Sequence, residues 1–199
     1  MAINIKARNE GKRSIRKKIL IVCEGAKTEP LYFKGFRVAK DICDIRGIGA
    51  NTLSLVKTAE NLRDKGEYSE TWCVFDRDSF SKVSVNNALS YAENVGIKCA
   101  FSNESFELWY VLHFCYLDTL ISRRDYCKKL DELIGIKYKK NDPDIFKLLL
   151  PKQSDAIRYA KKLEKTFCTP SVSLCDAAPI TTVYRLVERL NLLEKKQIF

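Results

Sequence analysis

The sequence predicts an α/β fold: a Rossmann-like parallel sheet flanked by helices, followed by a helical C-terminal half. Three observations predict it. Two apolar runs, Ile19-Leu20-Ile21-Val22-Cys23 and Thr71-Trp72-Cys73-Val74-Phe75, show no polar alternation, which is how strands buried on both faces read. Segments of helical character lie between them. Each run also stops abruptly at acid, Glu24-Gly25 after the first and Asp76-Arg77-Asp78 after the second. In open α/β sheets the functional crevice lies beyond the carboxyl ends of the strands.

The elements follow in order. Residues 1–17 read as a basic arm in front of a single domain, 18–199, whose helical part begins at about 115. After the first strand, Thr28-Glu29-Pro30 combines a hydroxyl cap with a proline in the first turn, a helix start signal. Leu31, Phe33, Phe36 and Val38 give that helix an apolar stripe. A short strand is expected around 41–48, and then a helix over 52–65 that Gly66 ends. After the second buried strand a helix spans about 85–95 and stops at Gly96. Residues 97–102 form another strand, ending at Asn103-Glu104. Strands and helices alternating at this pace argue for βαβ units. Ser105 to Phe114 is expected as an aromatic-rich helix, and about 118–195 as helices broken at Gly135, Pro143, Pro151 and Pro170.

Composition excludes several classes. With 46% hydrophobic and 30% charged residues in 199, the chain is of ordinary globular type. No apolar run approaches the ~20 residues of a membrane span, and no signal-peptide core follows the basic N-terminus, so the expected compartment is the cytoplasm. There are eight cysteines but no C-x-x-C pair, and His113 is the single histidine, which argues against zinc. Cys23, Cys73 and Cys99 sit in apolar runs and read as small reduced hydrophobes. The net charge of +10 is uneven: residues 1–18 carry seven cations against Glu10 alone. Clustered Lys and Arg attract phosphates, so Lys12, Arg13, Arg16, Lys17 and Lys18 are candidate nucleic-acid contacts. The plainer reading is a solvated tail.

The acids carry the chemistry. If the two strands are neighbours, Glu24, Asp76 and Asp78 converge on one sheet edge. In an extended D-x-D both carboxylates point the same way and face one ion. Mg²⁺ takes oxygen ligands and keeps several waters, so two or three carboxylates suffice. Such a site activates a water or hydroxyl and stabilises a phosphate undergoing displacement. Gly25 permits a sharp turn and close phosphate approach. Lys27 is placed to contact that phosphate, and Arg77 either clamps it or neutralises its neighbours. Taken singly, each acid is as readily a helix cap or an ion-pair partner. Gly25-Ala26-Lys27-Thr28 lacks the full phosphate-loop pattern and does not indicate an ATPase.

On these residues the chain resembles a known family. Strand–Glu24–Gly25 followed by strand–Asp76-Arg77-Asp78 resembles the Toprim domain of topoisomerases, primases and OLD-family nucleases. Four segments together resemble the RloB-like family: ILIVCEGAKTEPLYFKGF (19–36), WCVFDRDSF (72–80), FSNESFELWYVLHF (101–114) and PITTVYRLVERL (179–190). The resemblance implies a Toprim-like fold, Glu24 as general acid/base or metal ligand, and Asp76 and Asp78 as ligands of Mg²⁺ or Mn²⁺. It also implies a nuclease acting on DNA or RNA in anti-phage defence by abortive infection, beside an ABC-type ATPase of the RloA-like kind. A homodimer is compatible with it. The competing reading is a non-catalytic, nucleic-acid-binding regulatory subunit of such an ATPase complex.

Glu107, amid apolar residues, is a candidate additional metal ligand, with an ordinary half-exposed glutamate as the alternative. His113, on an apolar face, reads more readily as a hydrogen-bonded core residue than as a catalyst. Tyr32, Phe33, Phe36 and Phe80 read as core before base-stacking platforms. Lys137-Tyr138-Lys139-Lys140 is a small basic run with one aromatic, suited to track a nucleic-acid backbone, but it reads more readily as a solvated loop.

Overall fold

The computed structural model describes residues 18–78 and 80–197. Five strands form one sheet: β1 (Lys18–Cys23), β2 (Cys43–Gly47), β3 (Tyr68–Asp76), β4 (Lys98–Asn103) and β5 (Ile180–Thr181). The order is β2-β1-β3-β4-β5, parallel except for the β4–β5 pair. The chain runs from β1 to β2 on one side, then crosses back to place β3 on the other side of β1. The strand order therefore reverses between β1 and β3, the position at which doubly wound sheets open a crevice.

Both faces of the sheet are covered, which explains the unbroken apolar runs. Alternate residues Ile19, Ile21, Cys23, Trp72, Val74 and Ala100 belong to one core cluster. It includes residues of α1 (Thr28–Lys34), α4 (Glu107–Val111), α5 (Arg123–Ile134), α6 (Ile145–Leu149), α7 (Gln153–Phe167) and α8 (Val183–Gln197). The residues between them, Leu20, Val22, Cys73, Phe75 and Phe101, belong to a second cluster, with α2 (Thr52–Asp64) and α3 (Lys82–Asn94). This is the period-2 alternation of a pleated strand. By the same alternation Asp76 belongs to the α1/α4 face and Arg77 to the α2/α3 face.

Several expectations from sequence are corrected. The helix expected from Thr28 past Phe36 ends at Lys34, and Lys27 rather than Thr28 is its cap residue. The Thr28 hydroxyl instead donates to Asn141 Oδ1 at 2.9 Å. The aromatic helix expected over 105–114 is helical only from Glu107 to Val111. The C-terminal half is not wholly helical: β5 returns to the sheet antiparallel to β4. Two residues of strand are too short for any periodicity to announce. Their place is fixed by tertiary bonds, Thr182 N–H to Phe101 O at 2.8 Å and Phe101 N–H to Thr182 Oγ1 at 2.9 Å. Among the described residues no helix is long and apolar enough to cross a membrane.

Tyr32, Phe33 and Phe36 are core residues: Tyr32 is edge-on to Phe33, Phe36 and Phe106, and Phe36 is edge-on to Phe146. His113 is buried with Nδ1 2.9 Å from Trp109 O, so Nδ1 carries the proton. Burial pushes its pKa down to about 4, against the raising effect of its backbone contacts. It is a neutral core histidine and lines no part of the crevice described below.

Asn103 anchors the returning chain. Its buried Nδ2 donates to Cys175 O at 3.0 Å and to Ala177 O at 2.8 Å. Asn103→Ala leaves two buried carbonyls without this donor and is expected to cost about 2–4 kcal/mol of unfolding free energy in urea titration. A loss within the ~0.5 kcal/mol of a neutral surface change would contradict this role.

Candidate active site

A cavity of about 390 Å³ opens at the carboxyl ends of β1 and β3. Four segments bring five carboxylates to it: Glu24 after β1, Glu29 on α1, Asp76 and Asp78 at the end of β3, and Glu107 at the start of α4. Three cations share the lining: Lys27, Arg123 at the start of α5, and Lys140 in the connection between α5 and α6. With all groups ionised the lining is acidic.

Strand pairing positions the first two acids. Cys23 pairs with Val74, and the Glu24 N–H continues the ladder to Val74 O at 2.8 Å. The Glu24 side chain turns back onto β3, where Oε2 accepts from the Asp76 N–H at 3.1 Å. Gly25 lets the Glu29 carboxylate pack against it: a Cβ there would displace that carboxylate. Gly47, across on β2, leaves room for the Gly25 carbonyl in the same way. The glycine after the acid thus admits a second acid, a role beyond the turn and phosphate approach expected from sequence.

Asp76 and Asp78 converge by a route other than the extended D-x-D geometry. β3 ends at Asp76, and Asp78 lies in the left-handed region with φ 43°. Its N–H donates to Glu104 O at 3.1 Å, which ties the turn to the end of β4. The two carboxylates meet on Arg123. Nη2 donates to Asp76 Oδ2 at 3.1 Å and Nη1 to Asp78 Oδ2 at 2.9 Å. Asp76 Oδ2 also accepts from the Phe106 N–H at 3.0 Å. Glu107 is buried, 3.3 Å from Lys140 Nζ.

Burial and mutual repulsion shape the electrostatics. Burial pushes the Glu24 carboxyl up to about 6, with Glu29 and Asp78 adding to the rise and the Asp76 N–H opposing it. Asp76 is raised well above the usual carboxylate range by burial and then by Glu29 and Glu107, and Arg123 and the Phe106 N–H do not offset this. Glu29 is raised by burial, and its buried Oε2 has no hydrogen-bond partner. Holding like charges together out of water is costly, and a bound cation would relieve it.

The oxygen donors therefore suit a hard divalent cation in type and charge. Among the described residues, however, no three acid, cysteine or histidine side chains converge as a metal-holding group. Arg123 lies across the Asp76–Asp78 pair instead.

The remaining candidates divide. Lys27 lines the cavity, but Arg77 does not. Pleating turns Arg77 to the other face of the sheet, where its charge acts on Cys175 and Asp176. The arginine of the site is Arg123. Lys140, read from sequence as part of a solvated loop, is tied to Glu107. Lys18 begins β1, at the strand end opposite Glu24. Lys12, Arg13, Arg16 and Lys17 lie outside the described residues. Glu29 and Arg123 were not singled out by sequence, and Lys140 only as part of the 137–140 basic run, without its tie to Glu107. Glu29 resembles any first-turn helix acid, and Arg123 comes from the helical half, where no local motif marks it.

The pH dependence of stability follows from Glu24. Its folded pKa lies above the ordinary 4.5. Its favourable contribution is therefore complete below pH 4.5 and lost as pH rises through about 6. In chelator, Glu24→Gln is expected to gain stability relative to the parent between pH 4.5 and 7.5 by about 1 kcal/mol, allowing for partial exposure. Urea unfolding at each pH measures this, and a difference that stays constant or shrinks would contradict it.

The chain matches the family described as RloB-like protein over residues 19–190, and it belongs to that family. No curated protein and no solved structure matches it.

Proposed function

We propose that this member of the RloB-like family is a divalent-metal-dependent nuclease that hydrolyses nucleic-acid phosphodiesters, with Glu24, Asp76 and Asp78 as its acidic centre. The observation that carries the reading is the gathering of five carboxylates at the β1/β3 switch point, with Glu24 turned onto the Asp76 N–H. A carboxylate held beside the metal-binding pair is placed to accept and return a proton, which is what a general acid/base at a phosphodiester must do. Asp76 and Asp78, with Glu24 beside them, would hold Mg²⁺ or Mn²⁺, and Glu107 and Glu29 lie in the same cavity. The bound cation would supply electrostatic stabilisation of the phosphate during displacement. Glu24 would take the proton of the attacking water. Lys27 and Lys140, at the cavity lining, offer ammonium groups to the substrate phosphates. The net charge of +10 favours a polyanionic substrate, DNA or RNA. A role in phage defence rests on the family resemblance.

A specific feature favours a second reading, the regulatory subunit of an ABC-type ATPase complex. Arg123 bridges Asp76 and Asp78 and supplies one positive charge to the pair that a metal would otherwise occupy. Cleavage assays separate the two. The purified chain with Mn²⁺ or Mg²⁺ is expected to nick plasmid DNA or cut RNA. Glu24→Gln and Asp76→Asn are each expected to lower the rate by about a hundredfold or more. Undiminished cleavage in both variants would sink the nuclease assignment. No cleavage of any substrate, together with no effect of Mn²⁺ or Mg²⁺ on thermal stability, would support the regulatory reading.

A further inference from the structure

Arg123 stands where two functions compete. It is the first residue of α5, and its backbone is well anchored: Ser122 caps the helix, and Tyr126 and Leu130 are buried beneath it. Its guanidinium places one nitrogen on each aspartate and so bridges two carboxylates rather than clamping one. The oxygens that it engages, Oδ2 of Asp76 and Oδ2 of Asp78, belong to the pair that a divalent cation would need. Its third donor site, Nε, is buried and has no partner, so the guanidinium is held by its two terminal nitrogens. The side chain is still 35% exposed, which leaves room for it to move. The nearby Glu29 Oε2 is likewise buried and unpartnered, so the cavity holds a carboxylate oxygen to which the arginine donates no hydrogen bond.

We propose that Arg123 and a divalent cation are alternative occupants of the Asp76–Asp78 pair. In the metal-free protein the guanidinium holds the two carboxylates together against their repulsion. When a cation binds, the guanidinium gives way. It remains in the same cavity, and its planar donors are then free to bind a substrate phosphate. This inference deepens the nuclease reading and rests on its assignment of the metal ligands, but it makes a claim about binding that needs no substrate.

Removing the arginine then has two effects of opposite sign. Metal binding tightens because the competitor is gone, and phosphodiester cleavage slows because the phosphate ligand is gone. An arginine that served only to dock α5 would weaken metal binding or leave it unchanged.

The test is a Mn²⁺ titration of the full chain without nucleic acid, read by the electron paramagnetic resonance of free Mn²⁺, with thermal unfolding as the folding control. Arg123→Ala is expected to bind Mn²⁺ on the order of tenfold more tightly than the parent. Arg123→Lys is expected to fall between them, since one ammonium spans the two carboxylates less well. Should Arg123→Ala fail to fold, Arg123→Gln carries the same comparison. Unchanged or weaker Mn²⁺ affinity in a folded variant overturns the exchange, as does the absence of Mn²⁺ binding in every protein. The two readings fail separately: tightened Mn²⁺ binding with no nuclease activity removes the nuclease and keeps the exchange. Nuclease activity with unchanged Mn²⁺ affinity does the reverse.

Discussion

The pairing of β1 with β3 is the constraint on which the site depends. It carries Glu24 past the end of one strand and onto the N–H of the last residue of the other. Both strands are buried on both faces, so their register is fixed by packing, and a slip of one residue would turn every side chain over. Glu24 and Asp76 therefore stand at the ends of buried, paired strands. Burial first, and the mutual repulsion of the acids after it, raise the carboxyl pKa values of Glu24, Asp76 and Glu29.

The division of labour between the two halves of the chain follows from this. The sheet and its first helix supply four of the five acids, with Lys27 beside them. The segments after β4 supply Glu107 and two of the three cations, Arg123 set against Asp76 and Asp78 and Lys140 against Glu107. The cations reach the cavity because α5 packs on α4, whose first residue is Glu107. Asn103 and Thr182 hold the returning chain against β4, and so support the same arrangement from behind. Neither half contains the whole site.

Much of the fold was legible because the sequence patterns were those of local physics. Unbroken apolar runs mark strands covered on both faces, and the acids that end them mark the crevice. Glu24 and Asp76 were found in this way. Asp78 reaches its neighbours through a left-handed turn, which D-x-D spacing does not reveal. Arg77 looked equally suitable as a phosphate ligand, and the pleat directs it to the opposite face. Arg123, the tie of Lys140 to Glu107, and β5 were illegible because each depends on contacts with residues far away in the chain. A two-residue strand and a helix-terminal arginine have no periodicity of their own.

Anomalous diffraction from crystals soaked in Mn²⁺ measures the central claim most directly. The predicted result is a Mn²⁺ peak at about 2.1–2.3 Å from carboxylate oxygens of both Asp76 and Asp78, with Glu24 in the same ligand or hydrogen-bond shell and Arg123 moved off the pair. Saturating Mn²⁺ with no peak in the cavity, and with Arg123 still bridging the two aspartates, would contradict it.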